Sequence, residues 1–319
     1  ATSTVFPEPI LIIPSWIMKY YILDLSPHNS LVKYLVDRGH TVFILSWKNP
    51  TSEDRELALG DYIHQGVLAA ITQILHVCPQ RKIHSVGYCL GGTLLAMAAA
   101  LLGREKNDCL ATVTLLASQV DFHDPGELGL FIDESQIAYI EDVMWEHGYL
   151  DGKQMAGAFA LIKSNDLVWS RLIHASLMGQ RSPITDMKAW NADATRMPYR
   201  MHSEYLRSLY LKNDFAEGRF KVDGRSVALQ DIHLPMFVVS TEWDHVSPWH
   251  SVYKVHLLTA SEITFLLSTG GHNVGVVNPP LPTETGSQIL PPISHRFGVR
   301  PIDGAYTDPD TWFSHAERH

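Results

Sequence analysis

The segment Gly87-Tyr88-Cys89-Leu90-Gly91 places a cysteine at the centre of a glycine-flanked pentapeptide. A β-prone segment precedes it, and a run of small and apolar residues that predicts a helix follows it. The spacing is that of a nucleophile elbow, G-x-S-x-G, with sulfur in place of the serine oxygen. In such an elbow a sharp turn from strand to helix presents the central side chain. The pattern therefore predicts a strand, a tight turn and a helix in succession, with Cys89 at the turn.

Strand-like and helix-like segments alternate on both sides of this turn. The strand-like runs are 9–13, 40–47, 82–87 and 110–120, and the helical patterns between them are 29–38, 59–77 and 91–102. After a long interruption the alternation resumes with a strand at 235–240, a helix at 248–258 and a strand at 262–267. This order predicts a mostly parallel sheet flanked by helices. Of the 319 residues, 45% are hydrophobic, which is enough to bury such a core.

The interruption is interpreted as an insertion into the sheet domain. Residues 121–229 are polar, aromatic and helical in pattern, and they contain Trp145, Trp169 and Trp190. We refer to residues 121–229 as the cap, because an insertion at this place is expected to cover the sheet as a lid. The predicted core then consists of residues 1–120 and 230–319. After Asn278, the five prolines between residues 279 and 292 predict an irregular, surface-hugging tail.

Partners for the Cys89 thiol are expected at the carboxyl ends of the strands, where ligands of open parallel sheets bind. The strand ending near residue 240 leads into Asp244-His245, and the last strand leads into Gly270-Gly271-His272. The chain order nucleophile, acid, histidine is that of α/β-hydrolases. The sequence therefore predicts an α/β-hydrolase fold with Cys89, Asp244 and His272 as its catalytic residues.

Each of these residues also has a structural interpretation. Cys78 and Cys109 fit the usual behaviour of cysteine as a small buried hydrophobe, whereas the elbow favours a reactive role for Cys89. Asp244 is alternatively a loop cap, and His245 is either a second functional group or a polar neighbour. Metal binding is the poorest option, because no His, Cys and carboxylate cluster has the spacing of metal ligands.

Charge and hydropathy exclude several classes of function. The formal net charge is -9 and the 25 Lys and Arg residues are scattered, which predicts neither a nucleic-acid groove nor a polybasic membrane anchor. The longest strongly apolar stretch, 93–103, is well short of the roughly 20 residues that a membrane-spanning helix needs. Three cysteines at unrelated spacings and the lack of a signal-peptide pattern predict a reduced, cytoplasmic protein.

Several motifs together identify a family. They are GYCLGG (87–92), PSWIMKYYILDL (14–25), NDLVW (165–169), WNADAT (190–195), DHVSPW (244–249) and GHNVGVVNPP (271–280). With them, nearly the whole chain resembles the catalytic domain of class I-like polyhydroxyalkanoate synthases. The resemblance implies Cys89 as nucleophile, with Asp244 and His272 completing the triad. It implies (R)-3-hydroxyacyl-CoA, typically 3-hydroxybutyryl-CoA, as substrate.

The resemblance also implies partners. These are the growing polyester chain, a polymer granule surface and a second copy of the chain in a homodimer. No cofactor is expected, since the coenzyme A (CoA) thioester is the substrate and CoA the product. Many such synthases carry in addition an N-terminal domain and a Trp-rich C-terminal end, and neither is found in these 319 residues.

The chemistry suggests further roles. Backbone N–H groups of Leu90 and Ile17 are expected to bind the oxyanion, and Val274 and His245 are expected near the substrate. Asp244 either orients His272 or acts as a base toward the 3-hydroxyl group. Two other functions stay open: a Cys-dependent thioesterase or polyester depolymerase with the same triad, and a non-catalytic protein that binds the granule surface.

Overall fold

The computed structural model describes residues 2, 4–152, 185–277 and 293–319. Within these residues the strands of one central sheet are β1 (Ile10–Ile13), β2 (Val42–Ile44), β3 (Ile83–Tyr88), β4 (Leu110–Leu116), β5 (Met236–Thr241), β6 (Ile263–Ser268) and β7 (His295–Arg300). Their order across the sheet is β7-β6-β5-β4-β3-β1-β2. Strands β1 to β6 pair in parallel, and β7 pairs antiparallel with β6. This mostly parallel sheet confirms the predicted fold class.

Helices flank the sheet. The α-helices are α1 (Leu31–Asp37), α2 (Leu59–Asp61), α3 (Ala69–Val77), α4 (Leu90–Arg104), α5 (Glu134–Trp145), α6 (Asp186–Asn191), α7 (Tyr199–Tyr205), α8 (Trp249–Tyr253), α9 (Val255–Leu258) and α10 (Pro309–His315). Two π-helical stretches, Tyr62–Leu68 and Leu206–Leu211, continue α2 and α7. Among the helices of the described residues, none has the length and apolar character that crossing a bilayer requires.

Shorter elements connect these helices and strands. Turns of 3₁₀-helix lie at Tyr20–Leu23, Ser52–Asp54, Gly126–Phe131 and Leu229–Asp231. Small antiparallel ladders pair Asp24–Ser26 with Asn29–Ser30, Tyr149–Leu150 with Met197–Pro198, and Lys221–Val222 with Arg225–Ser226.

The helix that follows the predicted elbow, α4, runs through the core. Every residue from Leu90 to Leu102 is buried, as expected for a helix that is apolar on all sides. Its small residues permit close packing: a methyl group at Gly103 would lie 1.9 Å from the Asp231 carbonyl oxygen. The helix is therefore held rigidly, and its first residue is fixed at the carboxyl edge of the sheet.

The tail after Asn278 differs from the prediction. Residues 295–300 form β7 on the sheet edge and 309–315 form α10, so the predicted irregular tail is wrong for these residues. Its apolar side chains, Phe297 and Val299, alternate with other residues but are 48% and 57% exposed, so β7 lacks the buried apolar face of a half-buried strand. The strand is held by contacts outside its own sequence, because the Arg300 guanidinium donates to the carbonyl oxygens of Thr259 and Ser261, both at 2.9 Å.

The cap lies between β4 and β5 in the chain. Its described parts, 121–152 and 185–229, are mainly helical and contain α5, α6 and α7. Trp190 is buried, whereas Trp145 is largely exposed on α5. The NDLVW motif and Trp169 lie outside the described residues. The division into core and cap, and the role of the cap as a lid, stay predictions.

Candidate active site

The turn between β3 and α4 holds Cys89 in an unusual backbone conformation. Its φ is +52° and its ψ is −130°, a region that residues with a side chain rarely adopt. Hydrogen bonds from both sides hold it there: the Cys89 N–H donates to the Leu116 carbonyl at 2.9 Å, and the Ser118 hydroxyl donates to the Cys89 carbonyl at 2.7 Å. The neighbouring strand β4 and its extension thus keep the strained turn in place.

The glycines around Cys89 are required by close backbone approach. A methyl group at Gly91 would lie 2.2 Å from the carbonyl oxygen of Ile13, and one at Gly92 would lie 2.0 Å from the Ser118 hydroxyl. One at Gly87 would meet the Gly92 Cα at 2.3 Å. All three distances are shorter than van der Waals contact. The spacing G-x-C-x-G-G is therefore needed because a tight elbow packs closely against β1 and β4 and leaves no room for side chains at the glycine positions.

We expect Gly91→Ala to destabilise the protein by about 1–3 kcal/mol, since the added methyl group has to displace the backbone of β1. The matched control is Gly60→Ala in α2, where nothing lies within 4 Å of the added carbon and no positive φ is required. Alanine there should be neutral or stabilising, because it favours the helix. Urea denaturation of both variants checks this; equal stabilities would contradict the packing argument.

Asp244 and His272 meet beside the elbow, each in the loop after its strand. The His272 Nδ1 lies 2.7 Å from the Asp244 Oδ2. The other carboxylate oxygen, Oδ1, accepts the N–H groups of Val246 at 2.9 Å and Ser247 at 2.8 Å. The Asp244 side chain is fully buried, whereas 11% of the His272 side chain is exposed. Both oxygens of Asp244 are thus engaged, and His272 stands between the carboxylate and the open part of the site.

The charges around His272 change its protonation. Burial of the ring disfavours the imidazolium, but attraction to the Asp244 carboxylate and to the Cys89 sulfur outweighs this cost and raises the pKa of His272 to about 10. The hydrogen bond to Asp244 acts in the same direction. At neutral pH the ring is therefore positively charged, and this charge lies beside the Cys89 sulfur.

The raised pKa predicts a pH-dependent contribution to stability. The pKa of His272 rises from 6.5 to about 10 on folding, so the folded state binds the proton more tightly than the unfolded state. This stabilisation is fully present below pH 6.5 and is lost as the pH rises through 10. The excess stability of the wild type over His272→Gln should therefore be largest near pH 6 and shrink toward pH 10. Urea denaturation across this range tests it, and a constant difference would contradict it.

A cavity of about 140 Å³ opens in front of Cys89. Its lining is mostly apolar and aromatic and comprises Ser15, Ile17, Met18, Tyr88, Cys89, Leu90, Thr93, Gln119, Leu128, Trp190, Asn191, Ala194, Tyr205, Tyr210, Val246, Ser247, His272 and Asn273. Pockets that enclose a drug-sized ligand measure roughly 300–1,000 Å³. The cavity is therefore large enough for a short acyl group but not for a whole CoA molecule.

The two predicted oxyanion residues both line this cavity. Leu90 is the first residue of α4, so its N–H has no acceptor within the helix. The Ile17 N–H donates to the Ser15 hydroxyl oxygen at 3.3 Å, a long hydrogen bond. Leu90 is thus placed to donate to an oxyanion, and Ile17 would have to exchange the Ser15 oxygen for it.

The two predicted substrate-binding side chains lie elsewhere. His245 has 61% of its side chain exposed and lies 3.8 Å from Glu127, and Val274 is 49% exposed. Neither lines the cavity, which is lined instead by their neighbours Val246 and Asn273. Successive residues of these loops point in different directions, so proximity in sequence to Asp244 and His272 does not bring a side chain into the cavity.

Two of the sequence motifs contact each other at the rim of the cavity. The WNADAT motif binds the loop after β1: the Trp190 Nε1 donates to the Lys19 carbonyl at 2.8 Å, and the Thr195 N–H donates to the Ile17 carbonyl at 2.9 Å. The Tyr21 hydroxyl donates to the Asp193 carboxylate at 2.8 Å. These bonds attach the cap to the core and fix the part of the β1 loop that lines the cavity.

Several tyrosines of the site were not singled out from the sequence. Tyr88 donates to the Asn273 Oδ1 at 2.6 Å, and Tyr205 donates to the Tyr210 hydroxyl at 3.1 Å. Burial raises the pKa of all three tyrosines well above 10, and the nearby Cys89 adds to the effect. They are neutral hydrogen-bonding groups in an otherwise apolar wall. Tyr88 lies inside the GYCLGG motif and could have been identified from it, whereas Tyr205 and Tyr210 come from the cap.

Comparison with known proteins places the fold. The family model described as alpha/beta hydrolase fold matches residues 8–279. Among solved structures, a lipase-esterase related protein from Clostridium acetobutylicum is similar with a TM-score of 0.50 and 17% identity, covering 86% of this chain and 90% of that one. A structure reported for the metagenome-derived lipolytic enzymes LipS and LipT has a TM-score of 0.51 at 13% identity, covering 86% of this chain and 89% of that one. At such identities the likeness concerns the fold.

Curated relatives are more similar in sequence. The poly(3-hydroxyalkanoate) polymerase of Methylorubrum extorquens is 41% identical over 98% of this chain and 52% of its own length. The poly(3-hydroxyalkanoate) polymerase subunits PhaC of Rhizobium etli and Cupriavidus necator are 40% and 36% identical over 88% of this chain, and 44% and 48% of their own lengths. The family resemblance stated from the motifs is confirmed by these similarities. The chain spans about half the length of the curated relatives it matches.

Proposed function

The chain belongs to the alpha/beta hydrolase fold family, and we propose that it is the catalytic part of a poly(3-hydroxyalkanoate) polymerase. It polymerises (R)-3-hydroxyacyl-CoA, with 3-hydroxybutyryl-CoA as the expected monomer, and releases CoA. The observation that carries this proposal is the cysteine at the elbow, next to His272 and the buried Asp244, in front of a small apolar cavity. Similarity to polymerases over nearly the whole chain supports it.

The first step is acylation of Cys89. The thiolate attacks the thioester carbonyl carbon, and the Leu90 N–H donates to the oxyanion of the tetrahedral intermediate. As the intermediate collapses, the bond to the CoA sulfur breaks and the His272 imidazolium donates a proton to that sulfur. The acyl group is then held on Cys89 as a thioester and CoA leaves as a thiol.

The second step forms the ester bond. The 3-hydroxyl group of another hydroxyacyl thioester loses its proton to neutral His272, and its oxygen attacks the acyl carbonyl on Cys89. The Cys89 sulfur leaves, and the lengthened chain, still a CoA thioester, returns to acylate Cys89 again. A serine would convert the thioester into an ester in the first step, whereas cysteine keeps the acyl group activated for chain growth.

Water competes with the hydroxyl group for the acyl-enzyme. A polymerase has to exclude water, and the small cavity with its apolar wall is suited to that. The cap residues Trp190, Tyr205 and Tyr210 contribute much of this wall, which supports a lid role for the cap. If water reached the acyl-enzyme freely, the same residues would act as a thioesterase.

The reaction needs no cofactor, because the thioester supplies the activation. We propose that the enzyme acts in the cytoplasm at the surface of the polyester granule, with a second copy of the chain as its partner. Sedimentation of the protein with isolated polymer, and light scattering of the free protein, test the last two points.

One assay tests the function. The protein is mixed with (R)-3-hydroxybutyryl-CoA and a thiol reagent, and CoA release and turbidity are followed together. A polymerase releases CoA and forms insoluble polyester, which is the expected result. CoA release with only free 3-hydroxybutyrate would identify a thioesterase, and binding to polymer without CoA release would identify a granule-binding protein; either result would contradict the proposal.

A further inference from the structure

One polar side chain of the cavity has a buried acceptor without a partner. Gln119 follows β4 and is only 3% exposed. Its backbone is fixed beside the elbow, because the Thr93 hydroxyl donates to the Gln119 carbonyl at 2.8 Å and the adjacent Ser118 donates to the Cys89 carbonyl. The side-chain Oε1 is buried and accepts no hydrogen bond from any described residue. Gln119 lines the same cavity as Cys89 and His272.

Several other polar groups of the lining have hydrogen-bond partners. Tyr88 binds Asn273, and Tyr205 binds Tyr210. The Ser15 hydroxyl accepts from a backbone N–H. Among the lining residues, all of them in the described part of the chain, Gln119 is the one that has a fully buried side-chain polar atom lacking a partner.

A buried amide oxygen without a donor destabilises a fold, so its retention in an apolar wall points to a use. An unsubstituted acyl chain on Cys89 offers this oxygen no donor. A 3-hydroxyacyl chain does, since its hydroxyl group lies two carbons from the thioester carbonyl and within the small cavity that Gln119 and Cys89 share.

We propose that Gln119 determines specificity for hydroxylated acyl groups in the first acylation, by accepting a hydrogen bond from the free 3-hydroxyl of the monomer that is transferred to Cys89; the esterified 3-oxygen of a lengthened chain offers no such donor. This inference rests on the proposed function and names the chemical feature of the substrate that the cavity recognises. A site that is arranged to bind a substrate hydroxyl rejects the analogue that lacks it, because the protein group is then left unpaired.

The test compares two thioesters that differ only in the hydroxyl group, (R)-3-hydroxybutyryl-CoA and butyryl-CoA. Single-turnover acylation is measured as CoA release and as acyl adduct on Cys89 by intact-protein mass spectrometry. The variants are Gln119→Leu and Gln119→Met, the second of which keeps nearly the same unbranched shape if the first does not fold. The control is Gln73→Leu, the same change on the exposed side of α3.

In the wild type, 3-hydroxybutyryl-CoA should acylate faster than butyryl-CoA. One neutral hydrogen bond corresponds to about a tenfold effect, so the ratio of the two rates should fall about tenfold in both Gln119 variants. The fall should come from slower transfer of the hydroxylated acyl group. The ratio should not change in Gln73→Leu.

Three results would overturn the inference. Unchanged rates for both thioesters in both Gln119 variants would mean that the amide does not contact the hydroxyl group. Equal slowing of both thioesters would place the amide at the thioester carbonyl instead. A wild type that transfers neither acyl group would overturn the proposed function together with this inference, whereas a wild type that polymerises with an unchanged ratio in the variants would overturn the inference alone.

Discussion

Replacement of Cys89 by alanine is expected to abolish CoA release from 3-hydroxybutyryl-CoA, by a factor on the order of 10⁴ or more, as for loss of other enzymatic nucleophiles. The hydroxyls of Ser15 and Thr93, which line the same cavity, are buried and hydrogen-bonded and so are poor substitutes for the lost thiol. The fold should survive, because alanine gives up only one sulfur atom and meets the same positive φ as cysteine.

The matched control is Cys78→Ala, which removes the same atom from the end of α3. It should keep wild-type CoA release and show that loss of a cysteine as such is harmless. Circular dichroism and urea denaturation of Cys89→Ala establish that it is folded. CoA release by the folded Cys89→Ala protein at more than a small fraction of the wild-type rate would remove Cys89 from its proposed role.

Local backbone requirements explain why the elbow could be predicted from the sequence. Gly87 and Gly91 are needed where backbone atoms approach within about 2 Å of an added methyl group, and such a need leaves a short, readable pattern. The parallel sheet was predictable for a similar reason, since buried strands and apolar helices differ in their periods. Asp244 and His272 follow β5 and β6, and the convergence of parallel strand ends brings them together.

Long-range contacts explain what could not be predicted. Tyr205 and Tyr210 are five residues apart, which in an α-helix places side chains about 140° apart around the axis. The π-helical stretch Leu206–Leu211 rotates them toward one another, and their hydroxyls lie 3.1 Å apart at the cavity. The 3.6-residue period of an α-helix therefore does not predict that these two side chains meet. The local sequence does not mark Gln119 either, because its proposed role depends on the lack of a hydrogen-bond partner for its side chain in the folded structure.

The geometry of Asp244 bears on the two roles that the sequence left open. A base toward the 3-hydroxyl group has to reach the cavity, and Asp244 is fully buried behind His272 and does not line it. Its Oδ2 faces the His272 Nδ1 and its Oδ1 accepts two backbone N–H groups. This arrangement favours an Asp244 that orients and charges His272, with His272 as the group that handles protons in both steps.

Asp244→Asn should therefore impair His272 in both of its tasks. An asparagine has one acceptor where the aspartate has two, so either the contact to His272 or the pair of bonds from Val246 and Ser247 is lost. The charge that helps to raise the pKa of His272 is lost as well.

We expect alkylation of Cys89 by iodoacetamide at pH 7 to slow about tenfold or more in Asp244→Asn, since the thiolate loses its imidazolium partner. Polymer formation should fall on the order of 10²–10⁴-fold, because a hydroxyl group depends fully on a positioned base. Glu242→Gln, which removes a carboxylate charge from the same loop, is the control and should keep wild-type values for both. Rapid quench with intact-protein mass spectrometry follows the acyl adduct on Cys89. A variant that is alkylated at the wild-type rate yet releases one CoA per site and stalls as the acyl-enzyme would instead identify Asp244 as the base that acts directly on the 3-hydroxyl group.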